Sequence, residues 1–174
     1  MKNLKSDRYN SPIGEILILA DGDRLCYLDF SDNDERLAKL LTTRYGTYSI
    51  SPQVGVLNMR DRLERYFEGQ WDAFDDLELS TDGTEFQRLV WARLKKIPVG
   101  EAISYHQLAK AIDNPRAVRA AASANARNPI SIIIPCHRVI GNDGSLRGYA
   151  GGVHRKSWLL NHEGVRLSPN ASIF

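Results

Sequence analysis

Cysteine is scarce in this chain of 174 residues: there are two, Cys26 and Cys136, far apart and not part of any Cys-x-x-Cys pair. That spacing excludes a disulfide framework or a zinc cluster, so each thiol needs its own explanation and no metal is expected. Long apolar runs are missing too. The longest is about five residues, against the ~18 that a membrane span requires. The first residues, MKNLKSDRYNSPIGEIL, carry two lysines but no apolar stretch and no small-residue cleavage site. No secretory leader, no membrane association and a cytoplasmic location are therefore expected. With 43% apolar and 25% charged residues the chain has enough apolar material for a folded core of one or two domains.

A formal net charge of +2 conceals a division of sign. Residues 1–83 hold 10 Lys and Arg against 16 Asp and Glu, a balance of −6, whereas residues 84–174 hold 13 against 5, a balance of +8. A basic half suits a polyanion, because neutralising phosphates and releasing counterions drives sequence-independent nucleic-acid binding. A solvated basic face has the same composition, so charge alone does not decide.

In the first half, Gly14–Ala20 and Arg24–Phe30 are β-branched or aromatic runs joined by Asp21-Gly22-Asp23, a hairpin pattern. Leu37, Leu40, Leu41 and Tyr45 recur at helical spacing, as do Val56, Met59, Leu63 and Phe67, and Thr47–Ile50 suits a short strand. An α/β domain follows, a small antiparallel sheet with packed helices. Residues 69–83 are acidic, bounded by glycine and without sustained period, so they read as a linker and the boundary is set at 83. Residues 1–83 then form a support domain and 84–174 a mainly α domain.

The second half opens with Thr84-Glu-Phe-Gln87, a capping box, ahead of a helix with Phe86, Leu89, Val90, Leu94 and Ile97 on one face up to Pro98. Ser104-Tyr-His-Gln107 is a second capping box, and Tyr105, Leu108, Ala109 and Ile112 follow at helical spacing. Asn114-Pro115 reads as the N-cap and first residue of a third helix, making a helix-turn-helix with the one before it. That third helix can place Arg116, Arg119, Ala120, Ser123 and Arg127 on one face and Val118, Ala121 and Ala122 on another. Arginines among very small residues suit backbone or minor-groove contact better than major-groove base reading.

Ile130–Ile134 reads as a buried strand running into Pro135-Cys136-His137-Arg138. Five of the thirteen glycines then fall between Gly141 and Gly152, with Tyr149 among them, as in a loop that approaches a ligand closely. Cys136, beside a histidine and an arginine, suits a nucleophile whose thiolate is stabilised by positive charge and a base; a buried apolar thiol would look the same. Cys26 has no such neighbours. His137 needs a turn to face the thiol, because adjacent side chains diverge on an extended strand. Glu163 falls in the last turn before a Gly164 cap, opposing the helix dipole by ~0.3–1 kcal/mol, which points to a cation or histidine partner.

Asn128-Pro129, Ile134-Pro-Cys-His-Arg-Val139, Gly148-Tyr-Ala-Gly-Gly152 and Lys156-Ser-Trp-Leu-Leu-Asn-His-Glu-Gly164 occur together in fixed order. Over about residues 84–166 the chain resembles the O6-alkylguanine-DNA alkyltransferases, or methylated-DNA-protein-cysteine methyltransferases, and its length resembles their bacterial constitutive form. The resemblance implies DNA repair by irreversible transfer of an alkyl group from O6-alkylguanine, or O4-alkylthymine, in double-stranded DNA to Cys136, with one turnover per molecule. It implies His137 as a base acting through water, Glu163 orienting that histidine, Asn128 bracing the turn, and Tyr105 donating to guanine N3. It further implies Arg119 filling the gap left by a flipped base, with Ala120 and Ser123 along the minor groove. Carbonyls of Cys136 and Val139 would accept from the guanine amine, Ala150 N–H would face O6 and Tyr149 would wall the pocket. No cofactor and no metal are implied, and a monomer is expected.

Ala122-Ser123, where the family commonly has glycine, adds bulk beside the groove, and Arg147 adds a long cation beside Gly148-Tyr149. Two other classes fit parts of the pattern. A non-catalytic sensor of alkylated bases would not need Cys136, and a Cys-His hydrolase would need neither the helix-turn-helix nor the basic half.

Overall fold

The computed structural model describes residues 1–167 and contains two compact units, Met1–Asp82 and a second from Gly83 onward. No helix among the described residues is long and apolar enough to cross a membrane.

The first unit is a four-stranded sheet of β1 (Lys2–Ser11), β2 (Gly14–Asp21), β3 (Arg24–Phe30) and β4 (Tyr48–Pro52), in the order β3-β2-β1-β4. β1, β2 and β3 pair antiparallel, and β4 adds in parallel to β1. Side chains alternate across the sheet. Leu17 and Leu19 of β2, with Leu4, Cys26 and Tyr27, pack against α1 (Asp34–Tyr45) through Leu41. Cys26 is thus a fully buried core thiol whose Sγ–H donates to the Leu19 carbonyl at 3.3 Å.

Two features of this unit differ from the sequence reading. β1 carries no apolar alternation, because its buried position 7 is an aspartate, held by the Gly55 N–H at 2.8 Å and by Arg60 of α2 (Met59–Phe67). The acidic segment 69–83 is also not a loose connection through residue 82. Leu25 N–H donates to Glu78 O and Ser80 N–H to Leu25 O, at 2.9 and 2.8 Å, which ties the segment to β3. Its carboxylates pair with arginines of the same unit: Asp72 with Arg65, Asp76 with Arg62, Glu78 with Arg24 and Asp82 with Arg44.

In the second unit both expected capping boxes form. Thr84 caps α3 (Glu85–Leu94) and Ser104 caps α4 (Tyr105–Ala111), each exchanging hydrogen bonds with the glutamine three residues on. The buried stripe of α3 is Val90, Trp91 and Leu94; Leu89, expected on it, is 49% exposed. Tight turn bonds from the Lys96 and Ile97 N–H groups to the Arg93 and Leu94 carbonyls end this helix before Pro98 is reached.

α5 (Val118–Ala126) starts later than Asn114-Pro115 suggested, because the Asn114 carbonyl accepts from Ala117 N–H in a separate turn. The first α-helical bond of α5 is then Ala121 N–H to Ala117 O at 2.8 Å. α4 and α5 pack on each other across that turn as the helix-turn-helix, and Trp91 Nε1–H donates to the Ala124 carbonyl at 2.8 Å. A two-stranded parallel pair, β5 (Ile103–Ser104) with β6 (Val139–Ile140), and α6 (Val153–His162) complete the unit.

Candidate active site

Residues 130–134 do not form the expected strand. They fold into a buried turn with Ile132 at φ +72°, a strained conformation for a β-branched residue, of about 1–3 kcal/mol. Asn128 explains it by closing the turn at both ends. Its Nδ2–H donates to the Ile134 carbonyl at 2.7 Å and its Oδ1 accepts from Ile130 N–H at 2.9 Å. These bonds override the β propensity of four isoleucines. The chain leaves this turn through Pro135 into a single 3₁₀ turn, Cys136–Arg138, with Cys136 N–H donating to Ile134 O at 2.8 Å. Cys136 is 5% exposed, and in this turn, which is not extended strand, His137 is fully buried.

His137 and Glu163, 26 positions apart, meet at 2.9 Å between Nε2 and Oε1, both fully buried. Arg138, expected from its place beside Cys136 to lend the thiolate positive charge, turns to Glu163: it donates from Nε and Nη2 to the two carboxylate oxygens, both at 2.8 Å, and from Nη1 to the Ile97 carbonyl at 2.6 Å. Burial acts to raise the Glu163 carboxyl, but hydrogen bonds from Arg138 and His137 overcome it and hold the group well below the usual carboxylate range. Burial pushes His137 down, only partly opposed by Glu163, so the imidazole is neutral. An ionised Glu163 can only accept, so Nε2 bears the ring proton and Nδ1, which has no hydrogen-bond partner, offers its lone pair.

α6 delivers Glu163 at its C-terminal end. Gly164, at φ +83°, lets the chain reverse so that its N–H bonds Asn161 O and the Val165 N–H bonds Leu160 O, a Schellman cap. The same helix brings in Lys156, which shares the stripe of Leu159, Leu160 and Glu163 at helical spacing and is fully buried. Its Nζ donates to the Val139 carbonyl and, at 3.0 Å, to that of Arg147. Burial pulls its ammonium down to about 8, against attraction to a Cys136 thiolate. A cation within an apolar helical stripe was the sequence signal for this residue.

Pairing of Ile103 with Val139 and Ser104 with Ile140 sets Tyr105, the next residue, beside the Cys136 turn. Its hydroxyl donates to the Arg147 carbonyl at 3.1 Å, and burial pushes the phenol up to about 12. A Cβ at Gly148 would lie 3.0 Å from this hydroxyl, so glycine permits the close approach. Val139 and Tyr149 are buried and Ala150 is exposed in the glycine-rich loop. Arg119, Ala120 and Ser123 are exposed on the outer face of α5, away from its buried Ala121, Ala124 and Asn125. Among the described residues no group of three or more His, Cys, Asp or Glu is placed to hold a metal.

A buried cysteine backed by a neutral histidine, an ionised carboxylate and a clamping arginine, beside a helix-turn-helix, defines a thiol group-transfer protein on a DNA-binding scaffold. The family models for the DNA binding domain and the ribonuclease-like domain of 6-O-methylguanine DNA methyltransferase match residues 85–165 and 4–81. The chain belongs to this family. A methylated-DNA--protein-cysteine methyltransferase of Shigella flexneri is 41% identical over 96% of this chain and 99% of its own. One of Methanosarcina mazei is 45% identical over 88% and 92%. Among solved structures, the Mycobacterium tuberculosis OGT in complex with DNA superposes with a TM-score of 0.77 at 39% identity, covering 93% of this chain and 92% of its own. The O6-methylguanine-DNA methyltransferase of Pyrococcus kodakaraensis gives 0.74 at 29% identity, covering 93% and 99%.

Proposed function

We propose that the protein repairs double-stranded DNA by taking the alkyl group from O6 of an alkylated guanine, or O4 of an alkylated thymine, onto Cys136 Sγ. The observation that carries the assignment is the buried relay of His137, Glu163 and Arg138 behind that thiol. The target atom lies inside the base stack, so the nucleotide has to leave the duplex. Arg119 fills the gap it leaves, and Ala120 and Ser123 run along the minor groove, a reading supported by their exposure on α5 and by their small size.

Nδ1 of neutral His137 accepts the thiol proton through an intervening water, and Glu163 steadies the charge that the imidazole gains. Sγ forms a bond to the alkyl carbon, the carbon–O6 bond breaks, and its electron pair moves onto the purine. Tyr105 neutralises that charge by donating to N3; pushed up to about 12 chiefly by burial, its hydroxyl still carries its proton at neutral pH. To do so it leaves the Arg147 carbonyl, which keeps its bond from Lys156. The proton held by His137 then replaces the one given up by Tyr105. Carbonyls of Cys136 and Val139 accept from the guanine amine, with Ala150 N–H toward O6 and Tyr149 as a wall.

The product is a thioether, so each molecule acts once, as a monomer without cofactor, in the cytoplasm. Residues 84–174 bind DNA and carry the chemistry, and residues 1–83 support them. Intact-mass and peptide analysis after incubation with a duplex holding one O6-methylguanine tests the reading. One methyl group on Cys136, absent in Cys136→Ser, is expected; DNA binding without mass gain would make the protein a damage sensor instead.

A further inference from the structure

Arg147 is a long cation in the glycine-rich loop, and transfer of a neutral alkyl group gives its side chain no task. Its backbone belongs to the site: the carbonyl accepts from the Tyr105 hydroxyl at 3.1 Å and from the Lys156 Nζ at 3.0 Å. Its side chain is not tied down. The guanidinium is 69% exposed, and the one carboxylate paired with it among the described residues, Asp143 Oδ2, stands 4.0 Å away, beyond hydrogen-bonding distance. Asp143 Oδ1 is itself taken by the Ser145 N–H at 3.0 Å. The charges around the pocket also do not close. Arg138 is matched by Glu163, whose two oxygens it occupies. Lys156 is fully buried, with carbonyl partners and no carboxylate among the described residues. A Cys136 thiolate attracts the Lys156 ammonium, which leaves the Arg147 guanidinium without an anion in contact.

We infer that Arg147 is a specificity-determining residue that favours O6-alkyl groups bearing a carboxylate, with carboxymethyl as the smallest of the class. The inference rests on alkyl transfer from guanine O6 to Cys136. In O6-carboxymethylguanine the carbon that Sγ attacks carries the carboxylate directly. A thiolate approaching that carbon is repelled by the neighbouring negative charge, and a guanidinium bonded to the carboxylate offsets the repulsion. Arginine suits the task, because its planar fork matches both carboxylate oxygens. Its place suits it as well: the backbone is pinned against Tyr105, the residue proposed to meet the purine, while the side chain is free to turn toward the adduct. Sγ bonds the methylene carbon, the carbon–O6 bond breaks with its electron pair passing to the purine, and the carboxylate stays on the thioether with its charge unchanged.

The test measures single-turnover transfer from duplexes carrying O6-carboxymethylguanine or O6-carbamoylmethylguanine, which are close in size and differ in charge, with O6-methylguanine as the control for transfer itself. The quantity read is the ratio of the first two rates, in which contacts to the DNA backbone cancel. Arg147→Gln is expected to lower that ratio about tenfold, and Arg147→Lys to retain part of it. The same ratio in the parent and in Arg147→Gln overturns the inference alone, and equal losses on both duplexes would make Arg147 a phosphate contact instead. A parent that transfers methyl but not carboxymethyl also overturns it. A parent inert toward all three duplexes overturns the alkyl-transfer reading and the inference with it.

Discussion

Arg138 grips Glu163 by both oxygens, Nε to Oε2 and Nη2 to Oε1, at 2.8 Å each. The carboxylate facing His137 is therefore fixed in its plane by a guanidinium, which explains how it is sustained at a helix C-terminus where the dipole disfavours it. Arg138→Lys keeps the charge but not the fork. It is expected to lower alkyl-transfer rate at least tenfold and stability by about 1–2 kcal/mol, whereas Arg138→Met, leaving a buried charge, loses about 3–5 kcal/mol. Urea denaturation and single-turnover rates check both values.

His137 and Glu163 both lie below their ordinary values of 6.5 and 4.5. Unfolding therefore takes up a proton at His137 below pH 6.5 and at Glu163 below pH 4.5, so stability falls as pH falls, in that order. Glu163→Gln is expected to be less stable by about 3 kcal/mol at pH 7. Its deficit should narrow below pH 4.5, where the parent begins to lose its own advantage. Denaturation at a series of pH values measures this, and a deficit constant from pH 7 to 3 contradicts it.

Asn128 closes the turn that precedes the nucleophile, using its oxygen on Ile130 and its nitrogen on Ile134. Asn128→Ala leaves two buried backbone groups unpaired and is expected to destabilise the protein by about 2–4 kcal/mol. Asn128→Asp keeps one bond and should recover part of the stability. Because the positive φ of Ile132 depends on that closure, alkyl transfer should be slow in both variants even at temperatures where they are folded.

Arg119→Ala is expected to reduce transfer from duplex DNA at least tenfold more than transfer from a free O6-alkylguanine base, which needs no extrusion. Rates on the two substrates give the ratio directly. Equal losses would remove Arg119 from the gap-filling role.

What the sequence disclosed and what it hid divide by the reach of the interactions. The caps at Thr84 and Ser104 were legible because each involves residues three apart, and the β2–β3 hairpin because its signal is local. Ile130–Ile134 misled because two bonds from one asparagine outweigh the propensity of the run they enclose. β1 was hidden by a buried aspartate whose partners, Gly55 and Arg60, lie some fifty positions away. The 69–83 segment looked free because its arginine partners belong to other elements. A cation or histidine partner for Glu163 was legible from its place at a helix C-terminus, and the family resemblance named that partner as His137. Lys156 went unassigned, and Arg138 was read only as charge beside the thiol, because each acts on groups that only the folded chain brings within reach.

The Schellman reversal at Gly164 puts the relay at the mercy of a helix end. Helix ends open locally far more often than a domain unfolds. Each excursion of the last turn of α6 would carry Glu163 away from His137 and leave Arg138 with an uncompensated charge. The nucleophile's base is thus in working order only for as long as a few backbone hydrogen bonds stay closed. Solvent exchange at the Gly164 and Val165 amides is a clock for it.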